Sequence, residues 1–480
     1  MKIKSLCALA GIAASILALS TANARTWTQS ASGKAIEADY VGVEGTNVQL
    51  SFKGQTVSVP IGSLSAEDQA FIKEQMASAA AGGGGGTDWP RFRGPNQDDI
   101  SSDTDLLKEW PESGPKKLWT FENAGAGYAG FAVSGGKLYT IGSRGQDLTL
   151  IALDVESGEE IWATTIGSDD ENGYNAGWGG GPRSSPTVAN GKVYALGPKG
   201  TLACCDAESG DKVWDKNIQS EFSGTGGGWG YSESPLVDNG LVIVAPGGSS
   251  DSLVALDAET GAKKWGSDIP GVGKAEYATV LATEIGGVKQ YVKFYDKVIA
   301  GVNPENGSVL WTGSFPKGAT AAIPTPIIKD NRIFVTAGYG AGCKMFEIDG
   351  DTANDVWENG NMGVHHGGAV LIGDHVYGLN NSSMVCLDWE TGNVAWEERG
   401  PGKGAITFAD GMFYCVGEAR GMVHLVEATP DGYKEASQFT LDPQDPERPG
   451  QGKVWTHPVV IGGKLFLRDW RYITAYDVKG

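Results

Sequence analysis

Two glycine-rich segments carry the residues best suited to binding chemistry. The first is Gly177-Trp178-Gly179-Gly180-Gly181-Pro182-Arg183. The second is Gly226-Gly227-Gly228-Trp229-Gly230-Tyr231-Ser232-Glu233. Tyr128, Tyr277, His365-His366, Lys403 and Trp455-Thr456-His457 precede strand-like runs in the same way. Aromatic rings with a guanidinium, a carboxylate and imidazoles suit a planar ligand or a peptide, because aromatic and Arg side chains dominate recognition energetics. The binding candidates are Tyr128, Trp178, Arg183, Trp229, Tyr231, Glu233, Tyr277, His366, Lys403 and His457. Packing of a loop surface, with no ligand, is the alternative reading.

Catalytic and metal chemistry are less well served. His365 and His366 are adjacent, and neighbours on a strand point apart. No third ligand stands at a diagnostic spacing. Ser168-Asp169-Asp170-Glu171-Asn172-Gly173 is acidic but lacks the EF-hand pattern, so a solvated loop is expected. No nucleophile triad, phosphate loop or dinucleotide fingerprint sits on a suitable strand–helix unit. Cys204-Cys205 occupies a strand slot, where alternate facing predicts two buried free thiols. No catalytic residue and no metal ligand is therefore assigned.

A repeat must position these segments. Ala152-Leu153-Asp154 leads to Ser157-Gly158 and Trp162. Cys204-Cys205-Asp206 leads to Gly210 and Trp214, and Ala255-Leu256-Asp257 to Gly261 and Trp265. Gly301-Val302-Asn303 leads to Gly307 and Trp311, and Cys386-Leu387-Asp388 to Gly392 and Trp396. Copies at Asp349 with Trp357, and at Glu427, are degraded. A second pattern pairs an anchor with a turn residue five positions later: Phe131/Gly136, Pro186/Gly191, Pro235/Gly240, Pro326/Asn331, Ala369/Asp374, Ile406/Gly411 and Pro458/Gly463. Each unit then reads as four antiparallel strands, a propeller blade. Positions 154, 206, 257, 303, 349, 388, 427 and 477 give eight blades. The last stops before its Trp strand, so Lys117-Leu118-Trp119-Thr120 is expected to close the ring. The candidate residues then fall on loops leading into the innermost strands, around the channel mouth.

The motif A-x-D-x-x-[ST]-G-x-x-x-W resembles the PQQ-like β-propeller repeat of quinoprotein alcohol dehydrogenases and of the outer-membrane-protein assembly lipoprotein of Gram-negative envelopes. The resemblance covers roughly 88–480. It implies that Trp119, Trp162, Trp214, Trp265, Trp311, Trp357 and Trp396 dock between neighbouring blades. Trp89-Pro90-Arg91-Phe92-Arg93-Gly94-Pro95 resembles the lead-in of secreted propellers common in Planctomycetes and their relatives. Residues 25–76, with Trp27 and Val59-Pro60, resemble an SLA1-homology-1-like SH3 barrel. Ser65-Ala66-Glu67-Asp68 is a capping box for a helix running to about Gln75.

Lys2 and Lys4, the apolar run to Ser20 and Ala22-Asn23-Ala24 form a cleavable export signal over 1–24, without a lipoprotein box at Cys7. A glycine-rich linker spans 77–87, and the propeller 88–480. The net charge of −20 argues against nucleic acid. No mature segment is long and apolar enough to span a bilayer. The expected protein is an all-β, monomeric, non-catalytic binding or scaffolding propeller of the periplasm or cell envelope. Its partners would be envelope proteins or a small ligand at the mouth, and no cofactor is expected. The alternative is a PQQ-dependent alcohol dehydrogenase holding PQQ with Ca²⁺. There Glu233 and Arg183 would act, and no spacing singles out the metal.

Overall fold

A computed structural model describes residues 25–28, 34–44, 47–52, 55–65, 68, 69, 71, 72, 88–315, 318 and 320–480. The expected export signal (1–24), the expected linker (77–87, of which only Thr87 borders the described residues) and most of the helix expected after Ser65 lie outside the described residues. Two compact units divide near position 79.

The small unit is an antiparallel sheet of Arg25–Thr28, Ala35–Glu44, Asn47–Phe52 and Gln55–Pro60, in chain order. Trp27, Val48, Leu50, Leu64 and Ile72 form its core. The Trp27 indole donates to Ala38 O at 2.9 Å. Ser65 and Asp68 make one of the two capping-box bonds, while Ser65 N donates to Thr28 O instead of to the Asp68 carboxylate. Asp68 N donates to Ser65 Oγ at 3.1 Å, and Ser65 Oγ to Asp68 Oδ2 at 2.7 Å.

The large unit is an eight-bladed propeller of four-stranded antiparallel blades. Blade 1 runs from Ala132–Ser134 to Glu160–Ser168, blade 2 from Thr187–Ala189 to Lys212–Asn217, and blade 3 from Leu236–Asp238 to Lys263–Ser267. Blade 4 runs from Leu281–Ile285 to Val309–Ser314, blade 5 from Ile327–Lys329 to Thr352–Asn359, and blade 6 from Ala369–Ile372 to Val394–Arg399. Blade 7 runs from Gly404–Ala409 to Glu435–Thr440. Blade 8 takes three strands from Val459–Ile461 to Tyr472–Asp477, and its outer strand is Lys116–Phe121 from the other end of the chain. The five-residue spacing passes over blade 4. Its inner strand has five residues rather than the three of blade 3, so its Gly286-Gly287 turn comes later.

The repeat motif is a turn followed by a wedge. Asp154 accepts from Glu156 N, Ser157 N and Ser157 Oγ at 2.8–3.0 Å. Those bonds hold its carboxyl below the usual range. Gly158 then takes φ +73°, which leaves room for an indole from the preceding blade. Trp162, Trp214 and Trp265 rest in this way on Gly210, Gly261 and Gly307 of the next blade. Their Nε1 atoms donate to the carbonyls of Ala207, Ala258 and Pro304. Trp396 donates to Thr429 O, and Trp357 packs on Gly392. Trp119 does the same across the closure, against Gly158 and Val155 O. Trp311 differs. Its Nε1 bonds Gln290 of its own blade at 2.6 Å, because the degraded copy at Asp349 offers no glycine seat.

Blade 7 has Ser437 where the strand register of blade 6 places Trp396. Trp110, from the lead-in, fills that gap. Its backbone N donates to Ser437 Oγ at 2.7 Å, and its ring packs against Tyr414 and Phe439. The lead-in also crosses the channel. Trp89 exchanges backbone bonds with Val133 of blade 1, and Pro90 O accepts from Val188 N of blade 2. Gln97 Nε2 donates to Val280 O beside blade 4, and an Arg93 guanidinium nitrogen to Ala369 O of blade 6. Ile100–Ser101 adds a parallel strand to the inner edge of blade 7. A segment bonded to opposite sides of the ring must span its axis, so Trp89–Asp99 plugs the channel.

Candidate functional site

Above the plug lies a cavity of about 350 Å³. Most of its wall comes from loops leading into the inner strands, and the rest from turns between second and third strands, which open on the same face. Phe92 of the plug lies in the wall at the channel end. Of the candidates, Tyr128, Trp178, Arg183, Trp229, Tyr277, His366, Lys403 and His457 all line this cavity.

Tyr231 and Glu233 do not. Tyr231 is 1% exposed, packed among Tyr194, Leu196 and Ile218, with its hydroxyl on Pro246 O. Glu233 is equally buried and pairs with Lys293 Nζ at 2.7 Å. It also accepts from Ala245 N. Burial raises its pKa against the pull of Lys293. Side-chain alternation accounts for both placements. Ser232 and Ser234 take the cavity side, which turns Tyr231 and Glu233 into the wall.

His365 and His366 both line the cavity, because they sit in a loop and strand alternation does not apply. Burial pushes His365 down to about 4 and His366 to about 3, so both are neutral near pH 7.

Phe92, Tyr339, Glu418, Lys453 and Trp455 also line the cavity. Tyr339 and Glu418 lie on turns between second and third strands. The signal that could have found them is that antiparallel strands return these turns to the mouth face. Trp455 Nε1 donates to Glu418 Oε2 at 2.8 Å, and its ring lies 4.8 Å from Tyr128 and 6.3 Å from Trp178. Trp229 faces Tyr277 across 5.9 Å. The Tyr128 hydroxyl donates to Trp178 O, and burial pushes it to about 12. Trp178 is 39% exposed, at the rim.

Arg183 is held by backbone alone. It donates to the carbonyls of Gly179, Gly181 and Trp229 at 2.9–3.3 Å. Its guanidinium carbon lies 5.4 Å from the Tyr128 ring centroid. Burial lowers its pKa. Among the described residues no ion pair involves Arg183, Lys403 or Lys453.

The donor set does not fit a Ca²⁺-assisted quinone centre. Glu418 is the one carboxylate in the described lining, and it already accepts from Trp455 Nε1. No group of three His, Cys, Asp or Glu suited to a metal occurs among the described residues. Cys204 and Cys205 face opposite blade interfaces, where burial pushes their thiols up to about 12 and about 11.

Comparison with known proteins agrees with the architecture. A family model described as outer membrane protein assembly factor BamB, built on PQQ-like repeats, matches residues 146–398. SLA1 homology domain 1 matches residues 19–79. The chain is 25% identical to the outer membrane protein assembly factor BamB of Burkholderia pseudomallei over 67% of its own length and 80% of that relative. The match to the Shewanella oneidensis factor, at 24%, spans about half of each chain, 52% and 51%. A 1-butanol dehydrogenase (quinone) of Thauera butanivorans is 29% identical over 35% of this chain and 29% of that one. The crystal structure of BamB from Moraxella catarrhalis superposes with TM-score 0.53 at 16% identity, covering 76% of this chain and 99% of that one. A europium-containing methanol dehydrogenase superposes with TM-score 0.63 at 12% identity, covering 82% and 91%. Those two structures share the fold, and the fold hosts both binding and redox proteins. The family match spans just over half of the chain and runs through the turn-and-indole blades described above, so the chain belongs to the BamB-type family of PQQ-like repeat propellers and carries an SLA1 homology domain 1 at its N-terminal end.

Proposed function

We propose that this chain is an exported, non-catalytic binding or scaffolding propeller of the periplasm or cell envelope, and that it captures its partner at the channel mouth. The observation that carries this reading is the composition of the cavity, an aromatic cup with unpaired cations and a single carboxylate. Relatives named as outer membrane assembly factors support an envelope role. The basic, apolar and Ala22-Asn23-Ala24 order of residues 1–24 supports export. The family match over 19–79 supports an SH3-like reading of the small unit, tethered by the glycines of 77–87.

The test is photo-crosslinking from Trp178 in the native envelope, with Trp229→Ala as the comparison. Trp178-dependent capture of a defined protein is expected, lost in Trp229→Ala while its circular dichroism spectrum is retained. Oxidation of several alcohols is measured in parallel with added PQQ and Ca²⁺. Turnover abolished by Glu418→Gln would overturn the non-catalytic reading, since Glu418 is the carboxylate the mouth offers.

A further inference from the structure

The mouth carries a charge opposite to that of the molecule. The whole chain has formal charge −20, yet three positive side chains line the cavity against one carboxylate. With His365 and His366 neutral near pH 7, the excess of two positive charges resides on Arg183, Lys403 and Lys453. Elsewhere several cations of this chain meet carboxylates, while Arg468, held by carbonyls and Thr140 alone, is enclosed in the core and does not line the cavity. Lys137, Lys192, Lys293, Lys344 and Arg471 each meet a carboxylate within 2.6–2.8 Å. In the cavity the guanidinium of Arg183 is instead fixed by three backbone carbonyls, which set its position without neutralising it. Because Arg183 lines the cavity, as Arg468 does not, its positioned guanidinium without a counter-ion can receive an anion that comes from outside.

Two polar atoms of the wall are consistent with this. Ser232 Oγ and His366 Nε2 are buried without a hydrogen-bond partner among the described residues, whereas His457 Nδ1 lies 3.9 Å from Asp99 of the plug. Much of the remaining wall is ring surface, from the Trp229–Tyr277 pair and the Tyr128–Trp178–Trp455 group. A volume of about 350 Å³ admits one small ring-bearing body and excludes a folded element. The plug at Phe92 prevents anything from threading through the channel.

We propose that the cavity recognises a carboxylate carried on an aromatic body, with Arg183, Lys403 and Lys453 receiving the anion and Trp178 and Trp229 flanking the ring. A free aromatic acid and an acidic side chain next to an aromatic residue in a partner polypeptide share this chemistry. The inference rests on the mouth being the binding site.

The full chain is titrated by calorimetry with N-acetyl-phenylalanine and with its neutral amide. A second arm uses the peptide acetyl-Gly-Phe-Asp-Gly-amide against its Asn counterpart. The charged probe of at least one arm is expected to bind roughly tenfold or more tighter than its neutral partner. That preference should shrink as salt rises from about 50 to 500 mM. The arm with the tighter charged probe identifies the source. Lys403→Met and Lys453→Met test the cations without breaking a bond to Arg183, and each should erase most of the preference. Arg183→Lys should weaken the charged probe and leave its neutral partner unchanged. Equal affinity for charged and neutral probes, indifference to both lysine variants, or no binding in either arm overturns the proposal. So does inorganic phosphate competing as well as acetate, which would mark a general anion site. Loss of crosslinking in Trp229→Ala, combined with no charge preference, would overturn this inference and leave the binding mouth standing.

Discussion

Ring closure makes a quantitative forecast, because a glycine and an indole from opposite ends of the chain occupy one space. Gly158 of blade 1 has φ +73°, and a Cβ built there would lie 2.5 Å from Trp119 Cδ2 and 2.6 Å from Cε3. The indole is 9% exposed and donates to Val155 O at 3.2 Å. Gly158→Ala should therefore cost about 1–2 kcal/mol for the left-handed backbone and a further ~1–3 kcal/mol for overpacking. Trp119→Ala should cost about 3–5 kcal/mol through lost burial and the remaining cavity. In the double variant the clash is gone, and the added methyl fills part of that cavity. The double variant should then be about 1–3 kcal/mol more stable than the sum of the singles implies. Guanidinium unfolding followed by far-UV circular dichroism measures all four proteins. Trp162 and Gly210 form the internal control, with φ +77° and an equivalent approach of 2.6 Å to Trp162 Cδ2. Equal coupling at the two sites would show that the closure is an ordinary blade interface. Additivity within about 0.5 kcal/mol at Trp119/Gly158 would refute the reasoning, since it would mean the two residues do not share space in solution.

Four further expectations follow from the same geometry. A chain beginning at Glu122 should lose its cooperative unfolding transition and aggregate, while one beginning at Thr87 should not, because only the former lacks the plug, Trp110 and the closing strand; matching melts would refute the role of the lead-in. Glu233→Gln and Lys293→Met should each destabilise by roughly 3–5 kcal/mol, because the partner charge is left buried, and the double variant should recover part of the loss; full additivity in urea unfolding would count against the pair. The imidazoles of His365 and His366 are held at about 4 and about 3, below the usual 6.5, so the unfolded chain gains protons first as pH falls through 6.5; stability should decline from pH 7 to about 4, and His365→Gln with His366→Gln should flatten that slope in pH-dependent melts. Trp178→Ala, at the rim, should leave the melting temperature within about 2 °C of the parent, and a larger drop would mean the ring packs rather than waits.

The blades were legible because a local rule generates them. An Asp-capped turn and a left-handed glycine are fixed by bonds within four residues, and the indole four residues on repeats at the same spacing, so the register is readable without knowledge of the tertiary fold. Trp311 and the late turn of blade 4 fell outside that rule, since the first depends on the glycine seat that the next repeat lacks and the second on a longer inner strand of its own blade. The mouth was partly legible. Position relative to the inner strand placed eight candidates on one cavity, but it could not separate Ser232 from Glu233, which differ only in the face of one extended segment. Glu233 looked like chemistry because it is a carboxylate near aromatics. Its partner Lys293 lies 60 residues away, and nothing local to Glu233 announces it.

The lead-in was the least legible part, and it decides what the mouth can be. A propeller with an open axis offers two faces and a passage between them. Here Trp89–Asp99 bonds to inner strands around the ring, Arg93 and Asp99 face each other at 3.2 Å with both side chains 1% exposed, and the passage is filled. What remains is a cup open on one face, with Phe92 of the plug in its wall. A cup concentrates recognition. Its walls are carried by loops tied to the inner strands, Arg183 is positioned by backbone carbonyls, and the indole of Trp178 stands at the rim. The seven residues Trp89 to Pro95 thus set both the depth of the site and the single direction from which it can be approached.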